Sequence, residues 1–223
     1  MSHDVSGFDF EVREAASIPA RHRERVLGLF RANYRDANPA FVDKSLSVLR
    51  HVAFAYHDGE AVGFAFGESR VMDLPRLPEQ LVSLAGLCCI APAFRRRGLF
   101  RELSRLAMDW DALSEHTRRL FCGRMAHPAA MRNMARLASV VPRPGTRPTP
   151  WQQEVGQAIA DAYRVFDFDP ATFVCIGEGR PIGTPRIECD VESQEWEAFA
   201  AVNRDRGDAL LAIAWFPDSP PGW

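Results

Sequence analysis

The chain has 223 residues, 47% hydrophobic and 25% charged, enough to bury the core of one sizeable domain or of one domain with a substantial extension. Its 29 acidic and 27 basic residues leave a net charge of −2, so no overall field favours nucleic acid or an anionic membrane. The five cysteines (Cys88, Cys89, Cys122, Cys175, Cys189) are odd in number and lack C-x-x-C spacing, which speaks against a disulfide framework or a zinc site; no metal is expected. Residues 1–9 lack the apolar core of a signal peptide, and no run approaches the roughly 18 apolar residues of a membrane span, so a cytoplasmic protein without membrane contact is the expectation. Lys44 is the only lysine, an arginine bias that reads as the codon usage of a GC-rich bacterial genome.

Along the chain, residues 8–13 alternate apolar and polar, the period of a half-buried strand. Pro19 opens a helical stretch with Val26, Phe30 and Tyr34 four apart. Asn38-Pro39 stops it and starts a second helix with Val42, Leu46 and Leu49 on one face. Residues 52–56 and 61–66 predict two strands joined through His57-Asp58-Gly59-Glu60, a hairpin signal. Pro75 and Pro78 break the chain before a strand over 81–90. Gly86 inside that strand marks a bulge or a close backbone approach. A helix from Leu99 carries Leu103, Leu106, Trp110 and Leu113 on one stripe; a strand over 120–125 follows, and His127-Pro128 leads into a helix from Ala129 to about Ala138. The Pro-rich stretch 141–150 reads as a linker or wrapping loop. Beyond it, 151–164 and 192–202 predict helices, and 172–176, 186–191 and 209–216 predict strands.

Residues 87–100 read Leu-Cys-Cys-Ile-Ala-Pro-Ala-Phe-Arg-Arg-Arg-Gly-Leu-Phe. An apolar run stops at Ala91-Pro92, three arginines precede Gly98, and an amphipathic helix begins at once, so the segment predicts strand, tight loop and helix. A helix start leaves backbone N–H groups unpaired at the positive end of the helix dipole. Beside cationic side chains, that arrangement suits a pyrophosphate. The run Arg95-Arg96-Arg97-Gly98-Leu99-Phe100 resembles the acyl-CoA-binding signature of the GNAT superfamily of N-acetyltransferases. That signature is Arg or Gln, two residues, Gly, one residue, then Gly or Ala, after a strand that ends near a proline. Phe100 departs from it, standing where a small residue lets the first helical turn approach the phosphates; it is expected to pack under the helix. The order β-α-α-β-β-β-α-β-α over residues 8–140 is also similar to the GNAT core.

The resemblance implies a mixed α/β GNAT fold: a mixed central sheet, helices on both faces, and a central strand (81–90) that splays from 120–125 to make a slot for pantetheine. Residues 1–141 would form the acyl-CoA-binding core. Residues 142–223 would form a C-terminal extension that completes the sheet and walls the substrate site. Acetyl-CoA is the implied acyl donor. The backbone of Cys88, Cys89 and Ile90 would pair with the pantetheine amides, while Arg95, Arg96, Arg97, Gly98, Leu99 and Phe100 surround the pyrophosphate. Asn133 would donate a hydrogen bond to pantetheine or sulfur. The implied acceptor is a primary amine of a small molecule or peptide, and a homodimer is compatible with the sequence.

Acetyl transfer to an amine needs a held thioester, a deprotonated ammonium and a protonated or stabilised thiolate. GNAT enzymes often place a glutamate on the central strand, yet 81–90 contains no carboxylate. Glu68, after the third strand, and His127, just past the strand 120–125, are the candidate bases; a water-relayed base is the alternative. The superfamily's tyrosine on the helix after that strand is missing from 129–137, which leaves Tyr163 of the extension as a candidate acid. Cys122 reads as core packing and not as an acyl relay. Two other functions stay open: a GNAT-fold enzyme using a different acyl-CoA or thioester reaction, and a non-enzymatic acyl-CoA-binding module.

Overall fold

The computed structural model describes residues 5–109, 118–187 and 189–223. Its elements are β1 (Asp9–Glu14), α1 (Ala20–Asn33), β2 (Tyr34–Arg35), α2 (Ala40–Val48), β3 (His51–His57), β4 (Glu60–Leu74), β5 (Leu77–Ile90), α3 (Leu99–Ala107), β6 (Arg119–Met125), α4 (Pro128–Met131), α5 (Pro150–Ala162), β7 (Asp167–Asp169), β8 (Val174–Ile176), β9 (Thr184–Pro185) and β10 (Ala209–Phe216). This is a mixed α/β protein. It divides into two compact units, one within residues 5–69, 85–109 and 182–187, the other within 70–84, 118–181 and 189–223. Both units draw residues from either side of position 141.

In the first unit the strand order is β1-β3-β4-β5. β1 and β3 run antiparallel from Asp9↔Tyr56 to Glu14↔His51, and β3 and β4 run antiparallel with a register shift between Ala55 and Tyr56. Side chains alternate across the sheet. Ala53, Ala55 and Ala65 pack with Leu99, Leu103 and Ala107 of α3 on one face. Phe54 meets His22 of α1 on the other, ring centroids 5.3 Å apart, so helices cover both faces. A second, two-stranded sheet pairs β2 with β9, bringing residues 182–187 into this unit.

In the second unit the order is β5-β6-β10-β8-β7. The apolar run of β10 pairs antiparallel with β6 from Leu210↔Met125 to Phe216↔Arg119, and Trp215 is fully buried. Pro75 and Pro78 do not separate β4 from β5 as a break. They lie at the tip of one long hairpin, Pro75 in the turn and Pro78 near the strand start, where a missing N–H is tolerated. Trp151 of α5 donates from Nε1 to the Pro75 carbonyl (2.8 Å), and Arg76 lies over its ring.

Several expected elements are shorter than their sequence suggests. The helix over 129–138 is only the single turn α4 followed by a 3₁₀ turn at Met134–Arg136. Arg143 donates to the carbonyls of Leu137 and Ala138, and Ser139 Oγ bridges the backbone N–H and C=O of Trp215 (both 2.9 Å), so tertiary bonds replace helical ones. The segment 192–202 forms a 3₁₀ turn over Ser193–Phe199, and the strand expected at 186–191 is the two-residue β9 just before it. The 141–150 stretch is tied in through Val141↔Ile213. The described part of α3 ends at Ala107; Trp110 and Leu113 lie outside the described residues. No described helix is long and apolar enough to cross a membrane.

Candidate functional site

The 88–100 segment folds as strand, turn and helix. β4 is regular from Gly63 to Phe66, so those two residues face opposite sides. A methyl group added at Gly63 would lie 3.0 Å from Leu103 Cδ1 and 3.4 Å from Ile90 Cγ1, which puts Ile90 on the α3 face. One added at Gly86 would collide with Leu49 Cδ1 and sit 2.8 Å from Phe66 Cβ, which puts Gly86 on the opposite face. In an undisturbed strand residues 86 and 90 share a face, so one extra residue has been inserted between them. The strand bulges at its C-terminal end, and Gly86 is also the close backbone approach expected of it.

Past Ile90, the Ala91 N–H donates to the Val62 carbonyl (2.8 Å), and Pro92–Phe94 form a 3₁₀ turn. Arg96 (φ 65°) and Gly98 (φ 84°, ψ −5°) are left-handed, with Arg97 between them on the ordinary side. Such alternation turns successive N–H groups toward a common concavity. Helix α3 then begins at Gly98, whose carbonyl accepts from Arg101 (3.1 Å) and Glu102 (3.3 Å); no side chain caps it. Among the described residues the N–H groups of Arg96, Arg97, Gly98, Leu99 and Phe100 make no hydrogen bond. The result is a cluster of free donors at the positive end of a nine-residue helix, able to hold an anion with charge spread over several oxygens.

The side chains around this turn divide by role. Arg96 and Arg97 are exposed, the latter over the Phe94 ring at 5.4 Å. Arg95 is partly buried: Nη1 donates to the Arg186 carbonyl and Nη2 to Asn33 Oδ1, both at 3.0 Å. Leu99 is buried against the sheet. Phe100, expected under the helix, is instead 49% exposed. Position 100 faces away from the stripe formed by Leu99, Leu103 and Ala107, so its size does not crowd the turn. Burial pushes the Cys88 thiol up to about 12 and the Cys89 thiol well above its ordinary value. Both stay protonated at neutral pH and offer backbone, not nucleophiles. Burial also raises the Tyr34 hydroxyl, with the nearby Cys89 and Cys88 groups adding to the effect.

Glu68 is in the same unit, 7% exposed, with Oε2 accepting the Arg50 N–H at 3.0 Å. That bond fastens the entry to β3. His127 and Asn133 belong to the other unit. His127 is the N-cap of α4: its Nδ1 accepts the Ala129 N–H at 3.2 Å, and Trp196 packs edge-on against its ring at 5.3 Å. The capping bond leaves the proton of the neutral ring on Nε2, making the free nitrogen a donor. Burial lowers the His127 pKa, helped by the charges of Arg204 and Arg132. Arg132 pairs bidentately with Glu195 (2.6 and 2.9 Å), which holds that carboxyl down at about 2. Asn133 is exposed and caps nothing with its side chain. Tyr163 is buried, its hydroxyl donating to the Cys122 carbonyl at 3.0 Å, which commits it to the core. Burial raises the Cys122 thiol well above its ordinary range, as expected of a packing cysteine. Among the described residues no group of three or more His, Cys, Asp or Glu side chains could hold a metal.

The sequence reading missed Asn33 and residues 182–187, which the fold brings to Arg95. No local signal marks them. The Gly/Pro-rich stretch looks like any turn, and its contact lies some ninety residues away in sequence.

No family model matches the chain, and no curated protein matches it. Among solved structures it is similar to the aminoglycoside N-acetyltransferase AAC(6')-Iy in complex with CoA (19% identity, 59% of this chain and 87% of that one, TM-score 0.41). It is similar to a GNAT family N-acetyltransferase, YhbS, from Escherichia coli in complex with CoA (18% identity, 59% and 71%, TM-score 0.40). It is also similar to the ribosomal-protein-S18-alanine N-acetyltransferase from Escherichia coli (10% identity, 96% and 99%, TM-score 0.44).

Proposed function

We propose that this chain is a GNAT-type acyltransferase that moves an acetyl group from acetyl-CoA to a primary amine of a small molecule or peptide. The observation that carries the reading is the turn at 95–100: five free N–H groups, alternating backbone hand and an uncapped helix start, directly after a bulged strand. The N–H groups of that turn bind the pyrophosphate, with Arg96 and Arg97 adding positive charge at its rim. The backbone of Cys88, Cys89 and Ile90 holds the pantetheine arm. CoA supplies the activated thioester; the ammonium loses a proton to water, the neutral amine attacks the carbonyl carbon, the C–S bond breaks, and the proton that the nitrogen then releases is taken up, through water, by the departing thiolate. Bringing the two reactants together supplies much of the acceleration. Glu68 and His127 each already accept a backbone N–H, which favours the water-relayed route for the proton over a dedicated base.

Calorimetry with acetyl-CoA, followed by a panel of primary amines with free thiol as the readout, tests this directly. Saturable binding and amine-dependent thiol release are expected. No binding overturns the donor site, and binding without release on any amine overturns the transferase half.

A further inference from the structure

Of the three arginines before Gly98, Arg95 alone is bonded at both terminal nitrogens, and its two acceptors come from segments far apart in sequence. One is Asn33 at the end of α1. The other is Arg186, in the segment Ile182–Ile187. That segment is seated at several further points: Thr184 and Pro185 pair with Arg35 and Tyr34, the Asn38 N–H donates to the Ile182 carbonyl (3.0 Å), and the Arg186 N–H donates to the Asn33 carbonyl (2.7 Å). Gly183 adopts φ +120°, and a methyl group there would lie 2.7 Å from the Arg35 carbonyl oxygen. Only glycine fits such a seat without strain.

From this geometry we infer that Arg95 is a positioning residue: its guanidinium fastens the strap Ile182–Ile187 and the end of α1 to the turn that carries the free N–H groups. The reasoning is one of donor geometry. A planar guanidinium presents its N–H groups in a fixed fork, and here both arms of that fork end on neutral oxygens. Two of its five N–H groups are committed to these acceptors, while the group keeps its charge and adds to the field around the turn. Tyr34, the strand partner of Pro185 in the strap, lies close enough to Cys88 and Cys89 for their groups to act on its hydroxyl, which ties the strap to the neighbourhood of the strand that would hold the thioester. This assignment rests on the acyl-donor reading given above. It separates two jobs within one arginine triplet, with anion binding belonging to the turn's backbone and placement of the amine side belonging to Arg95.

The test uses the full chain. Hydrogen exchange of the ligand-free protein is measured for wild type, Arg95→Lys, Asn33→Ala and Gly183→Val, with Arg96→Ala as control. Arg95→Lys, Asn33→Ala and Gly183→Val are each expected to speed exchange of the Asn38 and Arg186 amides at least about tenfold, since one hydrogen bond to a charged group is lost or the seat is blocked, with α3 unchanged. The control should leave both amides as in wild type. In parallel, Arg95→Lys should leave the acetyl-CoA Kd within about threefold. With an amine that the wild type acetylates, it should raise the amine KM at least about fivefold while the acetyl-CoA KM stays put. Unchanged exchange in 182–187 overturns the assignment. So does a loss of acetyl-CoA affinity beyond about tenfold with the amine KM unmoved, which would make Arg95 a phosphate ligand. If wild type binds no acetyl-CoA, the donor reading fails, and the exchange rates still decide whether Arg95 fastens the strap.

Discussion

Two strand-to-helix junctions in this molecule start from similar sequence grammar and end in opposite states. At β5–α3 the N-cap is Gly98, left-handed and without a side chain, and five consecutive N–H groups ahead of and inside the helix have no partner among the described residues. At β6–α4 the N-cap is His127, whose Nδ1 accepts the Ala129 N–H, and Pro128 at the first helical position has no N–H to satisfy. The second junction is closed by its own side chains. The first leaves that work to something else. A helix start after a strand is therefore no site in itself; what distinguishes the two is whether the chain completes its own hydrogen bonds. The nine residues of α3 against four in α4 widen the difference, since a longer helix presents a fuller dipole.

The sharpest way to break this comparison is to close the first junction. Gly98→Asp places a carboxylate among the free N–H groups and a side chain at φ 84°. Acetyl-CoA affinity should fall by about 100-fold or more, the loss of several charge-assisted bonds to the pyrophosphate. Gly98→Asn tolerates the same backbone without the charge and should cost clearly less. Calorimetry on both variants separates repulsion from strain; equal and small losses would mean the turn holds no phosphate.

Closing can also be asked of the chemistry. If proton removal goes through water, Glu68→Gln and His127→Ala each lower kcat less than about 100-fold, the lower end of what a general acid or base contributes. A drop beyond about 1000-fold in either, with acetyl-CoA binding intact, would reveal a dedicated base at a residue that the structure shows bonded to backbone.

Opening the second junction should have a smaller effect, on stability. His127→Ala removes the cap and should cost about 1 kcal/mol at pH 8. The pH dependence follows from the direction of the shift. Burial, then Arg204 and Arg132, lower the His127 pKa below 6.5, so the folded state prefers the neutral ring. The cap's contribution is complete above pH 6.5 and is lost as pH falls through the depressed value, because the protonated Nδ1 no longer accepts. His22 shifts the same way, chiefly by burial and then by Arg13, so wild-type stability should fall on acidification from both residues. Urea unfolding at pH 8 and pH 5 should show the wild-type and His127→Ala curves converging at the lower pH. A constant gap would mean that His127 stabilises by packing on Trp196 and not by its ring nitrogen.

How much of this was written locally in the sequence differs between the two junctions. The strand, the turn and the start of α3 were legible because each is local: an apolar run stopped by Ala91-Pro92, a glycine where φ is positive, then a 3.6-residue stripe of Leu99 and Leu103. The bulge was foreshadowed by Gly86, since a glycine inside a strand signals close approach, although only the opposite facings of Gly86 and Ile90 locate it. The second junction misled. His127-Pro128 was legible as a helix start, but the helix fails after one turn because Arg143 and Ser139 take over the bonding of the residues that follow. Arg143 lies only five or six residues on, but the partner of Ser139 is Trp215 of β10, a strand whose pairing with β6 spans some ninety residues in sequence and which no periodicity announces. The bonds that Arg95 makes were illegible for the same reason. Its type fitted a motif, while its partners, Asn33 and Arg186, are neighbours only in the folded chain.

The smallest expected effect sharpens the comparison most finely. Arg96 is exposed at the rim of the turn, bonded to nothing among the described residues, with φ 65° that alanine inherits at no greater cost than arginine. If the backbone does the binding at the open junction, Arg96 contributes only a screened charge, worth up to about 1 kcal/mol, and Arg96→Ala should weaken acetyl-CoA binding by about two- to fivefold. That loss should also depend on salt. The Debye length shrinks from about 8 Å at 0.15 M to about 3 Å at 1 M, so the affinities of wild type and variant should converge as salt rises. A loss above about thirtyfold that persists at 1 M salt would mean a direct arginine–phosphate bond. The open junction would then be held by side chains as the closed one is, and the state of the backbone N–H groups would no longer be what tells the two helix starts apart.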